Sequence, residues 1–226
     1  MKTLFTIIIV SINLTAISQS NYLGLKGGVN WCDQSGNFFK NTEAIQRFSF
    51  GLDYGFKFKN NLKIGGNILF SQTGFKDPLI FTDEFGNPID RDPVYTEFRY
   101  DYLSIPIKVG YEYGNKGFVF GNIGIATSLL LSSKTTTPVF NENFEEVGRN
   151  EYDATDNVSP IEFGGTIEVG FGYTFFEKLG VYVEGNFHHG ITSVSTNDYF
   201  SGKTIFNYRA SANLGIRYKI NTHNSK

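Results

Sequence analysis

Apolar and polar side chains alternate along eight stretches of this chain, most cleanly over 205–220. There Phe206, Tyr208, Ala210, Ala212, Leu214, Ile216, Tyr218 and Ile220 share one parity, while Asn207, Arg209, Ser211, Asn213, Arg217 and Lys219 share the other. Successive strand side chains point to opposite faces, so this pattern predicts a strand with one apolar and one wet wall. The same period, bounded by Gly, Asn and Lys turn signals, predicts strands over 22–31, 47–58, 62–71, 99–113, 118–131, 161–176 and 180–193. Tight turns at 59–61, 114–117 and 177–179 alternate strictly with long connections at 32–46, 72–98, 132–160 and 194–204.

That alternation fits an all-β, eight-stranded antiparallel up-and-down transmembrane barrel, with short periplasmic turns at the end holding the termini and long extracellular loops at the other. About 9 to 11 tilted residues cross the hydrocarbon layer, and each strand is long enough. Closure leaves no free edge, as lipid demands.

Which wall faces lipid is then the deciding question. One parity collects Leu23, Leu25, Val29, Phe48, Phe50, Leu52, Ile64, Ile68, Leu103, Ile105, Ile107, Val109, Ile123, Ile125, Ile161, Phe163, Ile167, Val169, Phe171, Val181, Val183, Phe187 and Ile191, with no charge among them. The opposite parity holds Lys26, Arg47, Asp53, Lys57, Lys63, Lys108, Glu112, Glu162, Glu168, Glu184, Arg209, Arg217 and Lys219. The inverse arrangement is a soluble lipocalin-like carrier with the apolar wall inside. Three features favour the membrane: the loop asymmetry, the aromatic strand ends and the glycines. Trp31, Tyr54, Phe56, Phe58, Tyr111, Tyr113, Tyr173, Phe175 and Tyr218 fall where interface girdles would lie. Glycine sits mainly on the charged wall, as at Gly24, Gly28, Gly51, Gly110, Gly170, Gly172 and Gly215. An eight-stranded barrel has an interior barely wide enough for side chains. The charged residues are thus expected to pair inside a filled polar interior that carries no open channel. Pro106, lacking a ladder donor, predicts a local bulge.

Composition adds bounds. The chain has 226 residues, 23 Phe, 13 Tyr and 25 Gly but only 6 Pro, which suits one all-β domain. A net charge of -2 and a pI near 5.9 offer no basic field for nucleic acid. Lys2, an apolar run over 4–14 and Ala16-Ile17-Ser18 read as a secretory signal over 1–18, leaving a barrel domain over 19–226. Cys32 is the only cysteine, which excludes an internal disulfide and leaves a thiol without a task.

The opening strand Gly24-Leu25-Lys26-Gly27-Gly28-Val29-Asn30-Trp31 and the segment Tyr102-Leu103-Ser104-Ile105-Pro106-Ile107-Lys108-Val109-Gly110-Tyr111 resemble the PorT-like outer-membrane β-barrel family of Bacteroidetes. Members commonly carry Tyr-Leu-x-Ile-Pro followed by apolar and basic residues, often with Glu where this chain has Ser104. Asn213, Gly215 and Tyr218 resemble the signal read by the barrel assembly machinery, although Ile220 replaces the usual terminal aromatic. The resemblance implies an outer-membrane location amid lipid and lipopolysaccharide, and one branch of the family is associated with secretion and gliding machinery.

Candidate chemistry is sparse. Loops 72–98 and 132–160 are acidic, and Asp83, Glu84, Asp90 and Asp92 form a candidate loop cation site, although their spacing departs from the twelve-residue calcium loop. His188, His189, Ser193 and Glu184 invite a lipid-hydrolase triad, but Glu184 and His189 differ in parity. No phosphate loop, paired-cysteine metal site or nucleophile elbow occurs, and no cofactor is expected. The expected role is a non-enzymatic membrane component, with a small-solute porin, a lipid-modifying enzyme and a soluble carrier as alternatives.

Overall fold

The computed structural model describes residues 20–39, 41–89, 91–196 and 203–220; the expected leader over 1–18 lies outside them. Nine strands occur among these residues: β1 (Ser20–Gly36), β2 (Ile45–Lys57), β3 (Leu62–Leu79), β4 (Val94–Gly114), β5 (Gly117–Phe140), β6 (Glu146–Asp153), β7 (Ile161–Phe175), β8 (Leu179–Gly190) and β9 (Ile205–Ile220). All pairs are antiparallel, and β1–β9 together with β4–β5 close a ring of eight strands. β6 stands outside that ring. It pairs with 134–140 of β5, the continuation of the edge that pairs with β7 over 117–129.

The sheet is closed because each apolar wall needs hydrocarbon and each backbone group needs a partner. Ile107, Ile125 and Val169 are 61%, 70% and 62% exposed, whereas Lys26, Glu112 and Glu168 are 6%, 1% and 2% exposed. The oily parity therefore points outward all round and the charged parity inward. Tyr54, Tyr111, Tyr113, Tyr173, Phe175 and Tyr218 are exposed at the turn end, and Trp31 and Phe48 toward the other. Phe56, expected in the girdle, is buried instead, its ring nearly perpendicular to that of Tyr54 with centres 4.9 Å apart.

The turns at the end holding Ser20 and Ile220 are short. Asn61, Gly114, Phe176 and Glu177 have φ of 66°, 104°, 48° and 63°, the left-handed values that tight hairpins require. At the opposite end the strands overshoot the membrane. β5 runs for 24 residues and β4 for 21, about twice what a bilayer needs. This corrects the expected loops over 72–98 and 132–160, which are largely two tall hairpins, β3–β4 and β5–β6. Beyond Phe75 neither face of these hairpins is fully buried, so no apolar parity marks their outer parts in the sequence.

The bulge expected at Pro106 is also corrected. Its β5 rungs continue through Ile105↔Thr127, Pro106↔Ala126 and Ile107↔Ile125. On the β3 side the ladder passes from Gly66↔Ile107 to Leu69↔Ser104 in unchanged register. The missing donor is thus absorbed by omitted rungs facing β3, and Pro106 still points inward. The register shift occurs instead at Asp101/Tyr102, opposite Leu131.

Candidate functional site in the barrel interior and its mouths

Inward parity brings the charged residues into three groups. At mid-height Lys26 Nζ donates to Glu184 Oε1 at 2.5 Å and Glu168 Oε1 at 3.3 Å, and Lys108 Nζ donates to both Glu168 oxygens at 3.0 and 2.8 Å. Asp53 stands 3.8 Å from Lys108 and accepts from Asn67 at 2.5 Å and from the Tyr182 hydroxyl at 3.3 Å. Asn122 and Asn213 donate to Glu168 and Glu184. With several donors on each carboxylate, desolvation of these charges is offset by pairing.

Toward the turn end, Glu112 receives Arg217 in a bidentate contact of 2.5 and 2.9 Å, with Lys57 at 3.4 Å and Lys63 at 3.8 Å. The Arg217 guanidinium lies 3.7 Å from the Phe118 ring centre and 4.2 Å from that of Tyr22. Toward the loop end, Glu162 meets His188 Nε2 at 3.1 Å and accepts from Asn207 at 2.6 Å, with Arg209 buried beside the same small cavity as His188. Arg47 sits higher, half-buried, 3.6 Å from Glu97. Lys219 lines the turn-end mouth and has no carboxylate partner among the described residues.

The expected polar filling needs one correction, because apolar layers cap both ends of the ionic core. Phe75, Tyr100, Tyr102, Val158, Val194 and Ile205 form a buried cluster at the loop end, and Phe118, Phe120 and Tyr182 a second toward the turns. The inward glycines make space for the second cluster: a methyl group on Gly172 or Gly215 would stand 2.7 Å from Tyr182 Cβ or 2.5 Å from its hydroxyl. Between the clusters a space of about 20 Å³ remains, lined by Lys26, Ser71, Glu168, His188 and Arg209, close to what one water occupies.

The sequence reading took His188 only as a triad candidate and not as the partner of Glu162, and it missed both apolar clusters. Parity could have found His188, Tyr102 and Tyr182, which share the charged wall. Val158 and Val194 carry no such signal, because they come from irregular segments. Cys32 is fully buried, with Sγ 3.7 Å from Gln72 O.

The loop candidates do not converge. Asp83 accepts backbone N–H groups from Phe85 and Asn87 and the Asn87 side-chain amide, which closes the turn at 83–87 and holds its carboxyl below the usual carboxylate range. Glu84 and Asp92 are exposed, Asp90 lies outside the described residues, and no metal-sized group of three His, Cys, Asp or Glu occurs among the described residues. Other loop acids tie hairpins together: Glu97 bridges Arg47 and Arg149, Glu146 pairs with Arg149, and Glu151 pairs with Lys134. No triad forms at His189. Its Nδ1 lies 2.7 Å from Gly190 O, Ser193 bonds Ser195, and Glu184 is inside the barrel on Lys26.

A family model described as "Outer membrane protein beta-barrel domain" matches residues 17–196. Among solved structures the chain is similar to neisserial surface protein A, at 14% identity over 88% of this chain and 97% of that one, TM-score 0.44. It is also similar to OprG from Pseudomonas aeruginosa, at 13% identity over 92% and 99%, TM-score 0.47, and to Ail of Yersinia pestis, at 11% identity over 88% and 99%, TM-score 0.40. No curated protein matches.

Proposed function

The chain belongs to the outer membrane protein beta-barrel domain family, and from that premise we propose that it is a non-enzymatic structural or accessory component of the outer membrane that works through the surfaces at its two ends. The single observation behind this reading is the interior itself. Ion pairs fill the middle, buried apolar clusters pack against them toward both ends, and a space of about 20 Å³ lies among them. Eight strands leave no aqueous lumen once side chains fill it.

In this reading the signal over 1–18 is cleaved, β9 is read by the barrel assembly machinery, and the oily wall meets lipid and lipopolysaccharide. The β3–β4 and β5–β6 hairpins rise into the extracellular space as the partner-facing surface. The Tyr102-Leu103-Ser104-Ile105-Pro106 segment supports a place in the PorT-like group of Bacteroidetes, and with it a link to secretion or gliding machinery.

Planar-bilayer recording tests the closed interior. The expected outcome is no steady conductance above the bare membrane at neutral pH; a stable open level of porin size would establish the small-solute porin instead. Incubation with purified lipopolysaccharide, followed by mass analysis, is expected to leave lipid A unchanged, and loss of an acyl chain would establish the enzyme.

A further inference from the structure

Charge is distributed unevenly along the barrel axis, and the periplasmic rim carries the surplus cations. Each of the three tight turns contributes one lysine: Lys59, Lys116 and Lys178. The strand ends just inside add Lys57, Lys63, Arg217 and Lys219, while the only carboxylates among the described residues at this end are Glu112 and Glu177. Glu112 is already committed to Arg217, Lys57 and Lys63.

The lysine-bearing turns are fixed by backbone hydrogen bonds. Thr174 N donates to Lys116 O at 2.7 Å, Lys219 N to Lys178 O at 2.7 Å, and Glu112 N to Asn61 O at 3.0 Å. Between them opens a cavity of about 490 Å³, into which Lys57, Lys116 and Lys219 face alongside Tyr22, Thr174 and Glu177. The Lys116 and Lys219 ammonium groups thus flank a space with one carboxylate at its edge, while Lys57 at its wall is engaged by Glu112 and the Gly114 carbonyl and Arg217 is buried behind it.

We propose that this mouth binds a compact phosphate-bearing polyanion from the periplasmic side. A ligand with several closely spaced acceptor oxygens engages separate ammonium groups at once, and the partial enclosure reduces screening compared with a flat surface. The volume matches a small ligand. The phosphate comes either from a soluble molecule or from the headgroup of an inner-leaflet phospholipid. The site rests on the barrel's orientation and not on its lack of enzymatic activity or conductance.

Isothermal titration of sodium pyrophosphate into the full-length folded barrel, in a phosphate-free maltoside detergent at low salt, tests the site. Native mass spectrometry of the same protein from nanodiscs containing phosphatidylglycerol tests the lipid source. Lys116→Gln and Lys219→Gln are each expected to weaken pyrophosphate binding about fivefold, and the pair about twenty-five-fold, the factors that follow from about 1 kcal/mol per exposed ion pair. Glu177→Gln is expected to tighten it a few-fold, a change of sign that loss of folding does not produce. Lys76→Gln, on the extracellular hairpin, is the control and leaves affinity unchanged. Lysine-dependent retention of phosphatidylglycerol without pyrophosphate binding supports the lipid as source. Absence of both, binding that survives the double substitution, or preference for a polyglutamate peptide over pyrophosphate overturns the assignment.

Discussion

Lys26 with Glu184 in the barrel and Lys134 with Glu151 on the β5–β6 hairpin are the same chemical pair in two settings. The first is buried at mid-height, each partner shared with further donors or acceptors; the second stands in water at the edge of a hairpin. Pairing offsets desolvation in the barrel, and removing one partner leaves a charge with nowhere to go. On the hairpin either charge is hydrated without the other, so the bond contributes little. The interior lattice is therefore a structural necessity, and the outer pairs are adjustable.

Removing the Glu112 carboxylate should show the largest effect of this kind. Glu112→Ala removes the carboxylate that Arg217, Lys57 and Lys63 share, and the expected cost is about 3–5 kcal/mol. Urea unfolding of the barrel from lipid vesicles measures it. A loss below about 1 kcal/mol would mean that water reaches this layer and that the interior is wetter than its packing implies.

A second comparison sets inward against outward glycine. A methyl group at Gly170 would stand 2.6 Å from the Val183 carbonyl oxygen and meet the Phe120 ring, while at Gly185, on the lipid wall, nothing lies within 4 Å. Gly170→Ala is expected to destabilise by about 1–3 kcal/mol through overpacking, and Gly185→Ala to stay within about 0.5 kcal/mol of wild type. Equal effects in the same unfolding assay would contradict the assignment of walls.

The two regions also differ in how legible they were. Parity revealed the eight ring strands because hydrocarbon on one side and a crowded lattice on the other impose opposite chemistries on neighbours such as Ile107 and Lys108. Above the membrane that contrast disappears. β6 and the outermost ends of β3, β4 and β5 hold Asp77, Pro78, Thr136, Pro138 and Arg149 where neither face is fully buried, and they look like loop. The charged wall was legible as a set, but its grouping was not. Whether Glu112 meets Arg217 or Lys26 depends on register across strands far apart in the chain. The loop-end cluster was hidden for a related reason, since Phe75, Val158 and Val194 converge only after the ring has closed.

The smallest expected effect belongs to the hairpins and concerns pH. Lys134 and the Thr155 hydroxyl and backbone N–H hold the Glu151 and Asp153 carboxyls, respectively, below their ordinary values of 4.5 and 3.8. Because the folded values are depressed, their contribution is complete above the unfolded values and is lost as pH falls through the lower folded ones. Hydrogen exchange of the β5–β6 amides, normalised for intrinsic rate, should therefore stay constant from pH 7 to about 5 and become less protected below about 4. The strands β1, β8 and β9 are expected to keep their protection over that range, since closed ladders surrounded by lipid do not open with the hairpin. High salt should reproduce part of the hairpin's loss at neutral pH by screening its exposed pairs. A hairpin that is equally protected at pH 7 and pH 3 would show that β6 is held by its ladder to β5 alone, with Glu151 and Asp153 as bystanders.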